Sequence, residues 1–171
     1  PMCGWARRCS ARVDEAVSDK LARLDGFFSQ WRALLEERAL VLFKAGPLPA
    51  EGMNPASKAD AFSAQLGCQP IGFNWEMLDP GDDLGAPRSA RSTMAQALSK
   101  DIGDRKTPWL SDQSAQACAA DFIAPFAPLQ LSVVTNQLGG LWYPITGASD
   151  EWSFAAMDDE AIALLVLVPR G

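Results

Sequence analysis

The residues best equipped for chemistry are carboxylates beside tryptophans, and they form two clusters. The first is Glu76, Asp79, Asp82 and Asp83, next to Trp75. Two carboxylates astride a glycosidic bond can serve as acid and as base or nucleophile. Several together can hold a divalent cation through oxygen. The second cluster is Asp150, Glu151, Asp158, Asp159 and Glu160, with Trp142, Tyr143 and Trp152 close by in the chain. Aromatic side chains ringed by charge suit the centre and rim of a protein interface. Each cluster also has a plainer reading. Asp79-Pro80-Gly81-Asp82 is ordinary turn chemistry, and acids at hairpin ends keep a sheet edge soluble.

Missing residues narrow the chemistry further. The chain has no histidine, which removes the commonest general base and metal ligand and forbids Ser-His-Asp or Cys-His arrangements within it. Neither of the usual glycine-rich phosphate loops is present. Cys3, Cys9, Cys68 and Cys118 are irregularly spaced, without a C-x-x-C pair. A zinc site would have to be built from thiolates and carboxylates alone. The expectation is four free thiols in a reducing compartment, with Cys68 and Cys118 buried, and no metal or cofactor. Met2-Cys3-Gly4 resembles the start of class II glutamine amidotransferases and of the SOS-response-associated peptidases. In both families, removal of the initiator Met exposes a nucleophilic Cys. The resemblance covers three residues. The peptidases' catalytic histidine has no counterpart here, the amidotransferases' other motifs are missing, and Pro1-Met2 precedes the cysteine, so Cys3 is read as incidental.

The net charge of −6 on 171 residues argues against a nucleic-acid partner, which needs Lys and Arg to displace counterions, and against an anionic membrane surface. It favours a protein with a basic surface, where attraction chiefly speeds encounter. The acidic excess lies wholly after residue 106. The stretch before it carries a local positive patch of Arg88, Arg91, Lys100, Arg105 and Lys106. No apolar run approaches the roughly 18 residues of a membrane span. A cytoplasmic location is expected, and the Ala-rich, Lys-poor composition suggests a bacterial source. Leu167-Val168-Pro169-Arg170-Gly171 matches a thrombin site and Pro1 before Met2 resembles a protease scar, so these ends are set aside as remnants of production.

The elements that must position these groups follow from periodicity. Residues 12–45 carry apolar side chains at three- and four-residue steps, predicting a long helix stopped by Gly46-Pro47, with a short strand at residues 40–43 as the alternative. Asn54-Pro55 opens a short helix to about Leu66. Residues 68–87 are an aromatic, proline- and glycine-rich loop, expected to be ordered. Helices are predicted from Ser89 to Ile102 and from Ser111 or Asp112 to Pro125. Strands follow at residues 129–135 and 141–145, and residues 152–157 and 161–168 form a hairpin around Asp158-Asp159-Glu160. The fold class is α+β in one domain: three to four helices on one face of a small, mainly antiparallel sheet from the C-terminal third.

The function expected is a non-catalytic, acidic protein-binding module that masks or inhibits a basic partner, in the manner of an immunity protein neutralising a bacterial toxin. Trp75, Asp82, Asp83, Tyr143, Trp152, Asp158 and Asp159 are the predicted contact residues. The alternative is a carboxylate-based hydrolase, with or without a metal ion, using Glu76, Asp82 and Asp83.

Overall fold

The computed structural model describes residues 3–50, 52–81 and 88–170, with side chains from Glu15 onward. A long helix α1 (Cys3–Leu35) leads into strand β1 (Ala39–Pro47). Helix α2 (Pro55–Ala64), a 3-10 turn at Gly72–Asn74 and strand β2 (Glu76–Leu78) follow. Then come α3 (Ala90–Leu98), α4 (Asp112–Ile123), β3 (Ser132–Thr135), the small hairpin β4 (Gln137–Leu138) and β5 (Leu141–Trp142), β6 (Trp152–Met157) and β7 (Ala161–Pro169). Five strands make one sheet in the order β1-β7-β6-β3-β2, and every pairing in it is antiparallel. The α+β class stands. No helix among the described residues is long and apolar enough to cross a membrane.

The first helix ends at Leu35, well before the Gly46-Pro47 stop that its apolar pattern suggests, and the reason is geometric. Leu40, Val41, Leu42 and Phe43 are consecutive, and consecutive side chains cannot share one helical face. As a strand they alternate. Val41, Phe43 and Ala45 pack on the side of α1 and α4, and Leu42 on the side of α2. Gly46 belongs to the strand and does not stop a helix. A Cβ there would lie 3.2 Å from the Phe62 ring, so glycine lets α2 approach.

Helices cover both faces of the sheet, which corrects the one-sided arrangement expected. On one face Leu24, Phe27, Trp31 and Leu35 of α1 meet Leu98, Phe122, Phe154, Leu165 and Leu167. Phe27 stacks obliquely on Phe43 and Phe122 at 5.7 and 5.4 Å between centroids. On the other face Phe62 of α2 joins Trp75, Val134, Ile145, Ile162, Leu164 and Val166. The helices start where side chains can cap them. Asn54 and Ser57 form a reciprocal capping box on α2, and Ser89 and Ser111 cap α3 and α4. In the β4–β5 turn Gly139 and Gly140 both have positive φ (59 and 83°), the pairing that a tight hairpin of this hand requires.

Double burial explains why β7 reads as an unbroken apolar run. Its odd-numbered residues face α1 and α4, its even-numbered ones face α2, and residues 161–167 are all buried. The segment set aside as a cleavage sequence is therefore structural up to Pro169. Leu167 is fully buried and pairs with Val41 and Trp152, and Pro169 pairs with Ala39. Leu167→Ala is expected to lower the unfolding free energy by about 3 kcal/mol in a urea titration, the usual cost of an unfilled leucine site. An unchanged midpoint would show that the end of β7 contributes nothing.

Candidate functional site

The acidic turn between β6 and β7 is built differently from a display of free charge. Asp158 is 4% exposed. Its Oδ2 accepts from Lys20 Nζ of α1 at 2.5 Å and from the Ala127 N–H at 2.9 Å. Its Oδ1 accepts from the N–H groups of Glu160 and Ala161, each at 3.0 Å. Lys20 also donates to Glu160 at 2.7 Å. Burial alone would raise the Asp158 carboxyl. The Lys20 bond and the three backbone donors outweigh it and hold the group below the usual carboxylate range. Burial likewise pulls Lys20 down, and its two carboxylate partners reverse that and raise it. One carboxylate oxygen each of Asp158, Asp159 and Glu160 lie within 4.8 Å of one another, but the Lys20 ammonium already occupies the bridging position between Asp158 and Glu160. Asp159 alone points its charge at solvent.

Beside this turn is a shallow groove of about 340 Å³. Leu48, Pro55 and Met157 give it an apolar floor, and Met53, Asp159 and Lys58 stand on its rim. Lys58 is tethered to the Pro49 carbonyl at 2.9 Å. Met53 is 100% exposed and Leu129, close to the groove residue Gln130, is 96% exposed.

A second site lies on the other side of the sheet, where α3 faces the β4–β5 hairpin. Glu76 and Thr135 pair across β2 and β3, so their side chains share that face. Glu76 Oε1 accepts from Arg88 at 2.5 Å and Oε2 from the Gly139 N–H at 3.3 Å. Thr93, Gln96 and Gln137 complete the walls. Thr135 is 1% exposed, and its hydroxyl has no hydrogen-bond partner among the described residues. Trp152 closes the far end. It meets Trp142 edge-on, stacks on Phe154 at 5.9 Å, and Arg105 lies over the Trp142 ring at 5.1 Å.

The predicted contact residues are thus dispersed. Trp75 is 4% exposed and donates its indole N–H to Asp60 at 2.7 Å, so it is core and not a presented side chain. Asp60 also accepts from the N–H groups of Ile71 and Gly72, pinning this part of the aromatic loop to α2. Asp158 is equally withdrawn. Trp152 and the Asp158 turn stand at opposite ends of β6, about 20 Å apart by strand rise. Tyr143 is half-buried, its backbone held by Asn136 through an N–H to carbonyl bond of 3.0 Å. Asp82 and Asp83, and the side chains of Cys3 and Cys9, lie outside the described residues. Burial, with a smaller push from Asp121, raises the Cys118 thiol far above its ordinary value. Cys68 is half-buried and raised by burial and then by Glu151, so neither is set up as a thiolate nucleophile.

Sequence reasoning missed two acids that hold loops in place. Half-buried Asp60 is one. Glu151 is the other: it is fully buried and accepts from the Ile145 N–H at 3.0 Å, the Thr146 N–H at 2.9 Å, the Thr146 hydroxyl at 2.6 Å, Asn136 at 3.3 Å and the Ser153 hydroxyl. Its position in an acidic stretch carried no signal of burial. No protein family model, curated protein or solved structure shows significant similarity to the chain.

Two outcomes test this geometry. Because the folded Asp158 carboxyl lies below its unfolded value, the native state binds fewer protons. Its contribution is complete above about pH 4 and is lost as pH falls through the folded value. Asp158→Asn places an amide donor against Lys20 and the Ala127 N–H, and is expected to cost about 3 kcal/mol at pH 7. Unfolding titrations should show the gap from wild type narrowing toward pH 2, and a gap constant with pH would refute the pairing. Thr135→Val removes an unpaired buried hydroxyl and is expected to raise stability by about 1 kcal/mol. A loss of that size would mean the hydroxyl is satisfied within the fold.

Proposed function

We propose that the protein is a non-catalytic binding module that masks a basic segment of a partner protein. It would do so through the groove beside Asp159. The observation that carries this reading is the pairing of apolar floor and acidic rim. Leu48, Pro55 and Met157 form a floor next to an exposed Met53, and the turn of Asp158, Asp159 and Glu160 keeps two negative charges after Lys20 has neutralised one. An apolar anchor flanked by Lys or Arg would bury its side chain against the floor and set its charge against Asp159. Methionine suits such a surface because it adapts to the shape it meets. Occlusion of a functional basic surface is how an immunity protein would neutralise a bacterial toxin, and the acidic excess of the C-terminal part fits such a role in a bacterial cytoplasm.

The hydrolase alternative rests on Glu76, Asp82 and Asp83, of which Glu76 alone lies among the described residues. Glu76 is engaged by Arg88 and the Gly139 N–H. Asp101, the other carboxylate near that groove, accepts from the N–H groups of Gly103 and Asp104 and pairs with Arg38. Both are committed to fixed partners in the fold.

The test is affinity capture at low salt from cells that make the protein, using wild type, Met53→Asp and Asp159→Lys, followed by association kinetics with the captured protein. A partner held by wild type should be lost with Met53→Asp, and its association rate should fall by about threefold or more with Asp159→Lys and with added salt. A partner that binds all three proteins alike would sink the groove as the contact surface.

A further inference from the structure

We propose that the groove between α3 and the β4–β5 hairpin binds a small anionic polyol, either a sugar phosphate or a sugar acid. The site is separate from the groove at Asp159 and lies on the opposite face of the sheet. Two cavities of about 280 and 250 Å³ share Thr93, Gln96 and Gln137 as lining residues, so they lie side by side. Together they reach the size range of ordinary small-ligand sites.

Charge sets the orientation of the ligand. Lys100 and Arg105 line the second cavity and have no carboxylate partner among the described residues. The two acids of the groove are already spoken for: Glu76 is held by Arg88, and Asp101 by Arg38 and two backbone N–H groups. The groove therefore offers unmatched positive charge at one end, in a protein whose net charge is −6. A protein this acidic repels anions in general, so an anion that settles here is drawn by these two side chains.

The middle of the groove sets the rest of the chemistry. Thr93, Gln96 and Gln137 supply amide and hydroxyl groups that can both donate and accept. Thr135, on the same face as Glu76, contributes a hydroxyl that the fold leaves without a partner. A buried polar group without a partner is costly, and a ligand hydroxyl would relieve that cost. Several donor–acceptor groups in a row match vicinal hydroxyls. A nucleobase has less to stack on, because Trp152 already stacks on Phe154 and meets Trp142 edge-on.

The test is calorimetric titration of the full chain at low ionic strength with glucose 6-phosphate, glucuronate, glucose and inorganic phosphate. The expected result is that glucose 6-phosphate or glucuronate binds at least about tenfold tighter than both glucose and phosphate. Whichever binds shows whether phosphate or carboxylate is the preferred anion. The exposed pair Lys100→Gln and Arg105→Gln together should weaken that binding by more than about tenfold, as loss of two charge-assisted contacts requires. Thr135→Val, which keeps the side-chain shape, should weaken it by about threefold to tenfold, the worth of one neutral hydrogen bond. Phosphate alone binding as tightly as glucose 6-phosphate would overturn the polyol assignment. No binding by either anionic sugar, or binding untouched by the Lys100 and Arg105 changes in a protein of unaltered circular dichroism, would overturn the site.

Discussion

The architecture depends on a strand that is dry on both sides. Once Ala161 to Leu167 are buried throughout, neither face of the sheet can be left to water. One face needs the long α1 with α3 and α4, and the other needs α2 with the segment around Trp75. The strands beside β7 must supply apolar side chains to both layers, and β1 does so with Val41, Leu42 and Phe43. The polar links then work at the borders of these layers. Lys20 fastens α1 to the β6–β7 turn, Asp121 of α4 accepts from the Trp31 indole at 2.9 Å, and Asp60 fastens Trp75 to α2.

This arrangement changes the meaning of the acidic composition. Several carboxylates counted as surface charge serve inside as acceptors. Glu151 gathers the donors of residues 136–153, and Asp158 those of the last turn and the connection after α4. A buried carboxylate surrounded by N–H and O–H groups fixes a loop more firmly than neutral acceptors would, because its bonds are charge-assisted. The charge left for an encounter with another protein is concentrated in fewer residues, with Asp159 the clearest of them.

Much of the fold was legible in the sequence. Capping residues at Asn54, Ser89 and Ser111 marked three helix starts, and two strand-length apolar runs around a polar turn marked the last hairpin. Two features were not legible. The switch from α1 to β1 occurs inside a continuous apolar pattern, and only the need to bury both sides of one segment decides it. The placement of α2 on the far face depends on contacts distant in the chain, which periodicity does not encode. The candidate sites were less legible than the fold, because proximity in sequence is a poor guide to a shared surface. Trp152 and Asp158 are six positions apart, yet an extended strand sets them at opposite ends. Trp75 is adjacent to Glu76, yet alternation sends one inward beneath α2 and the other toward α3. Thr135 and Gln137 gave no sign of lining a groove, since hydroxyl and amide residues at strand ends are common everywhere.

The pairing of β1 with β7 joins residues 39–47 to residues 161–169, and it has a consequence for how the molecule is made. On the ribosome, α1, β1 and α2 emerge well before the strands that cover them. Both hydrophobic layers lack their central wall until the final hairpin has left the exit tunnel. Leu40 to Phe43 are exposed through that interval as an unpaired, β-prone segment, and closure of so long a loop is slow. The sheet therefore cannot close around β1 until residues 161–169 are available to pair with it.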